Sequence, residues 1–179
     1  MTEHTLKKFD VELEEIRRNL LQMGGLVEAQ VTQALEGLRS GEIALLDQVV
    51  QGDKQVNVAQ VELDDACSHI IARRQPAAGD LRLVLATIKA ASDLERIGDE
   101  AKKIAKAARR LHQAEVKFMP RVGLSQATET AIEMLRAALD AFARVNADNI
   151  EEMRRKDAEV DSGFKGIMRQ LITYMMEDP

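Results

Sequence analysis

The chain has 179 residues and a formal charge of −5, with acidic and basic residues interleaved, which weighs against a nucleic-acid partner because such binding needs a basic face. Hydrophobic residues make up 45% and charged residues 31%, enough to build a core in one or two domains and too apolar for a disordered tract. Ten glycines, three prolines and 3% aromatics leave little turn chemistry for a many-stranded sheet, so the expected class is all-α with long helices. The one cysteine, Cys67, has no partner for an internal disulfide, which suits a reduced setting. The polar start Met1-Thr2-Glu3-His4 does not read as a signal peptide. The uncharged stretches fall short of the ~18 apolar residues of a membrane span. A cytoplasmic location is expected, with membrane contact only through a partner.

Five helical segments follow in order. The first runs from about Thr5 to Arg39, with Leu6, Phe9, Leu13, Ile16, Leu20, Met23 and Val27 spaced three and four apart, a heptad-like seam. Ser40-Gly41 stops it, since Gly accepts the left-handed conformation at a helix end. The second runs from about Glu42 to Arg74. One of its lines, Leu45, Val49, Val56, Ala59, Leu63, Ala66 and Ile70 with Gly52 between, reads as core. The next line, Leu46, Val50, Asp53, Asn57, Gln60, Asp64, Cys67 and Ile71, is apolar at both ends and polar in the middle, unlike a solvated face. Pro76 and Gly79 break the chain.

The third segment runs from about Asp80 to His112. Its line Leu81, Leu85, Ile88, Ser92, Glu95, Asp99 turns from apolar to acidic without losing its spacing, so Glu95 and Asp99 are expected in core register. Gln113 to Gly123, with Pro120 inside, reads as a linker. The fourth segment (about Leu124 to Asn146) and the fifth (about Ala147 to Glu177) are helical again. In the fifth, Asp157 and Asp161 share a line with Phe164, Met168, Leu171 and Met175. The domains read as 1–112, a linker at 113–123, and 124–179.

The two halves repeat. Ala34 to Asn57 pairs without a gap with Ala138 to Asp161, matching Ala34/Ala138, Leu35/Leu139, Asp53/Asp157 and Val56/Val160, with Asn57 against Asp161. Pro76 answers Pro179 one residue short of the same offset. By that offset Glu95 and Asp99 should recur near position ~200, past the end of this chain, so the second copy is expected to lack its third helix here.

Two carboxylates at i, i+4 project from one helix face. Their repulsion and burial are relieved by a raised pKa, a basic partner or a bound hard cation. Asp53 and Asn57 against Glu95 and Asp99 on a facing helix would gather oxygen ligands suited to Mg²⁺, Mn²⁺, Ca²⁺ or iron. The plainer reading is helix-surface charge, with Glu95 paired to a nearby Arg or Lys. A ferritin-like di-iron enzyme needs Glu-x-x-His pairs, and here Ala66 precedes His69 and Arg109 precedes His112 at that spacing. There is no GxxxxGK[ST], GxSxG or CxxC. Gly24-Gly25 reads as a point of close helix approach or a kink, Cys67 as a packed small residue, and Tyr174-Met175-Met176 as core or interface.

At Asp93-Leu94-Glu95-Arg96-Ile97-Gly98-Asp99, followed by Glu100-Ala101-Lys102-Lys103-Ile104-Ala105, the chain resembles the PhoU family, accessory regulators of phosphate-specific transport. Agreement extends to Met23-Gly24-Gly25, Gly52-Asp53-Lys54-Gln55-Val56-Asn57, Ala72-Arg73-Arg74-Gln75-Pro76 with Asp80-Leu81-Arg82, and Thr173-Tyr174-Met175-Met176-Glu177-Asp178. It covers nearly the whole chain and is nearest to proteobacterial members. The resemblance implies two three-helix bundles and a metal cluster in each, with magnesium, manganese, iron or zinc as the candidate ion. Its paired acidic motifs fall on Asp53/Asn57 with Glu95/Asp99, and on Asp157/Asp161 with a helix not present here. Asn57 departs from the acidic pattern, and since an amide contributes no charge the first site is expected to be the weaker. The resemblance also implies a non-enzymatic homodimer that bridges the transporter's ATPase subunit and the sensor histidine kinase, repressing the phosphate regulon. The alternatives are a metal-carboxylate helical enzyme and a metal-free helical scaffold.

Overall fold

A computed structural model describes the backbone of residues 2–114 and 124–177 and the side chains of 8–114 and 124–176. Every element in them is helical: α1 (Thr2–Ser40), α2 (Ile43–Arg74), α3 (Ala78–Gln113), α4 (Leu124–Arg144) and α5 (Ile150–Glu177). The expected all-α class is thus what the described residues adopt. Of the expected linker, 115–123 lies outside them, as does the side chain of Leu6. Among the described residues no helix is long and apolar enough to cross a membrane.

The chain forms two compact units, Met1–Arg109 and Arg110–Pro179. In the first, the α1 seam is buried from Leu13 through Ile16, Leu20, Met23 and Val27, and it continues through Gln30 and Ala34. Against it α2 buries Leu46, Val49, Asp53, Val56, Leu63, Cys67 and Ile70, a stripe that straddles the two lines read from the sequence. Ala34, Leu46, Val49, Ala101, Ala105 and Ala108 form one cluster, so α1, α2 and α3 share a core. Alanines fill three successive core positions of α3.

The core line of α3 corrects the sequence expectation. It is Val84, Thr87, Ala91, Leu94, Gly98, Ala101, Ala105 and Ala108, one position before the line through Glu95 and Asp99. One position is ~100° of rotation, which takes those two carboxylates from the centre of the core to its rim. Small side chains occupy the centre, while Leu85 is 52% exposed.

Gly41 at φ 77° ends α1 as expected. The end of α2 differs: Gln75 takes the left-handed conformation at φ 49° and its N–H donates to Ile71 O at 3.3 Å, while Gly79 lies inside α3. Arg74 donates two hydrogen bonds, of 2.7 and 2.8 Å, to the Glu12 carboxylate, tying the end of α2 to the start of α1. Of the Gly24-Gly25 pair, Gly25 faces open space and is not a site of close helix approach, whereas Gly24 is buried.

In the second unit Lys156 of α5 reaches Glu133 of α4 at 2.9 Å. The connection at 145–149 is longer than expected because Asn146 forms a side-chain turn, its Oδ1 accepting from the Asp148 N–H at 2.7 Å. In α4 no residue is buried.

Candidate functional site

At one level of the first bundle, α2 presents Gly52-Asp53 and α3 presents Gly98-Asp99, with Val56 against Gly98. The helices run antiparallel, since Asp47 meets Arg109 at 2.9 Å and Asp53 meets Lys102 at 2.6 Å. The Asp53 side chain is 5% exposed. Its Oδ2 accepts the Lys102 bond, and Lys102 Nζ also lies 3.6 Å from Asp99 Oδ1. The hydrogen bond to Asp53 holds the Lys102 ammonium above its ordinary pKa, against the opposing effect of burial.

Other oxygens of α1 and α2 are buried without a donor. Asp53 Oδ1, Asn57 Oδ1 and Gln30 Oε1 are buried without a protein hydrogen-bond partner, as is Asp64 Oδ1 farther along α2. A buried acceptor left so costs about 1–3 kcal/mol. Gln30 is 6% exposed, and its amide occupies the space that side chains at positions 52 and 98 would take.

The six carboxylates and amides singled out in the sequence are therefore placed unequally. Asp53 is buried; Asn57, Glu95 and Asp99 are half-buried; Asp157 and Asp161 are exposed on α5. Lys102 links Asp53 to Asp99. No group of three or more His, Cys, Asp or Glu side chains that could hold a metal occurs among the described residues. What the site does offer is unpaired buried oxygen, which is the donor chemistry of Mg²⁺ or Mn²⁺. Such an ion would take over the position of the Lys102 ammonium. Cys67, buried on the same line of α2, has its thiol pushed up to about 11 by burial and by the Asp64 charge, so it is no nucleophile at neutral pH.

Gln30 and Lys102 were missed in the sequence. Gln30 had a signal: the α1 seam extended three residues past Val27 lands on it, a polar residue in core register.

A family model described as the PhoU domain matches residues 20–108 and 124–179. The chain belongs to the PhoU family. It is 45% identical over 179 residues to the phosphate-specific transport system accessory protein PhoU of Edwardsiella tarda, covering 99% of this chain and 73% of that one. Its fold matches the crystal structure of PhoU from Pseudomonas aeruginosa with a TM-score of 0.91 at 44% identity, covering 96% and 82% of the two chains. It also matches the phosphate transport system regulatory protein PhoU from Streptococcus pneumoniae, with a TM-score of 0.87 at 28% identity, covering 95% and 80%. The PhoU family is non-enzymatic, and no catalytic residue is assigned.

Proposed function

We propose that this chain is an accessory regulator of phosphate-specific transport, a cytoplasmic homodimer that bridges the transporter's ATPase subunit and the sensor histidine kinase. In that role it represses the phosphate regulon and modulates uptake when phosphate is plentiful. The observation that carries the reading is the 45% identity along almost the whole chain to an accessory protein of that system. The regulatory name of the Streptococcus pneumoniae relative supports it. Repression of this kind is a shift of the kinase between two states by binding, with no covalent step.

In this reading Asp53, Asn57, Glu95 and Asp99 hold a hard divalent cation, with Lys102 displaced from Asp53. The all-oxygen donor set favours magnesium or manganese over zinc. Asp157 and Asp161 belong to a second, like site whose partner carboxylates lie on a helix outside these 179 residues. The architecture is then two three-helix repeats, the second without its third helix here.

Deleting the gene is expected to derepress phosphate-starvation genes in phosphate-rich medium, read with a reporter. Unchanged expression there would overturn the regulatory reading. A metal-free scaffold is the second reading, and the Lys102–Asp53 ion pair favours it because the ammonium already neutralises the buried carboxylate. Elemental analysis after loading with each metal separates the two, since no stoichiometric cation would remove the metal and leave the adaptor.

A further inference from the structure

We propose that Gln30 is the ligand that α1 contributes to the cation site of α2 and α3, an inference that rests on the cation reading above. The first ground is position. The buried seam of α1 puts Gln30 where an aliphatic residue would be expected, between Val27 and Ala34, and it is 6% exposed. The second is the slot built for it. A Cβ at position 52 would stand 3.2 Å from Gln30 Nε2, and one at position 98 would stand 3.1 Å from Gln30 Oε1. Alanine at either glycine would favour its helix by about 1 kcal/mol, but would crowd the amide. Glycine thus keeps the space open on both neighbouring helices.

The third ground is chemistry. Gln30 Oε1, Asp53 Oδ1 and Asn57 Oδ1 are three buried acceptors without donors, and Gln30 Oε1 lies beside Gly98, next in sequence to Asp99. Each of them is satisfied by a hydrogen-bond donor or a cation and not by an apolar side chain. Two carboxylates, Asp53 and Asp99, balance a divalent charge, while the two amide oxygens add ligands without adding repulsion. The fourth is access. Gln30 also lines a groove of about 500 Å³ between α1 and α2, together with Gln33, Gln48, Gln51 and Gln55. A ligand from α1 makes the ion a clasp on all three helices, so its binding stiffens the whole first unit.

The test is a Mn²⁺ titration of the full chain followed by electron paramagnetic resonance. Gln30→Met, which keeps the length and removes the oxygen, is expected to weaken Mn²⁺ binding on the order of 10-fold or more. Gln30→Glu, which restores the oxygen and adds charge, is expected to bind at least as tightly as the parent. Parent-like binding by Gln30→Met, with binding lost in Asp53→Asn, would leave a cation site and overturn the role of Gln30. No Mn²⁺ bound by the parent or by Lys102→Gln would overturn the cation reading and this inference with it. Should Gln30→Met fail to fold by circular dichroism, Gln30→Glu decides: weaker binding than the parent overturns the assignment.

Discussion

Lys102 is what makes a carboxylate tolerable in the core at Asp53. A carboxylate 5% exposed cannot keep its hydration, and removing the partner of a buried charge generally costs several kcal/mol. Lys102 keeps 26% of its side chain in solvent, so screening brings the cost of losing it below that of a fully buried pair, to about 2 kcal/mol. Lys102→Met is therefore expected to lower stability by roughly that amount in the presence of a chelator, measured by urea denaturation. If a divalent cation takes the ammonium's place, Mn²⁺ should recover most of the loss and stabilise Lys102→Met more than the parent. A variant as stable as the parent under chelator would show that Asp53 finds another way to be satisfied. Asp53 itself was legible in the sequence as a polar break in an apolar line. Lys102 was not, because an ion pair across two helices depends on the register between them.

Helix ends show how much the elements owe to local chemistry. Gln75 closes α2 at φ 49°, ψ 57°, a region that costs a residue with a Cβ about 1–2 kcal/mol, and it precedes Pro76, which favours extended backbone before it. Gln75→Gly is expected to raise stability by about 1 kcal/mol, read as a higher midpoint in thermal or urea unfolding. An unchanged midpoint would mean that other contacts of Gln75 outweigh the backbone strain. The five helices were legible because their apolar spacing is sustained over many turns, and Gly41 marked the first stop. The end of α2 was placed near Pro76 without the left-handed residue, since Gln is not the usual choice there. The α3 register was read one position late. Large residues such as Leu81 and Leu85 drew the line, whereas the packed face is Val84, Thr87, Ala91, Leu94, Gly98, Ala101, Ala105 and Ala108, five of the eight being Ala or Gly. The same one-position error placed Glu95 and Asp99 in the core instead of at its rim.

For the molecule as a whole, the two units differ sharply in what they bury. In the first, Ile16, Leu20, Met23, Leu46, Leu63 and several valines have almost no exposure, and a fully buried aliphatic side chain contributes about 1.5–3 kcal/mol. In the second, Ile167 alone is buried among the described residues, while Phe164 is 60%, Ile172 53% and Met175 71% exposed. Local opening follows apolar burial. Amides of α2 and of the buried stretch of α3 are therefore expected to exchange more slowly than those of α4 and α5, by on the order of 100-fold or more. Hydrogen exchange read by mass spectrometry checks this peptide by peptide. Protection in α5 that rises with protein concentration would identify a second copy as what covers its apolar side chains. Protection in α5 equal to that in α2 at every concentration would show that burial within these helices does not set their stability.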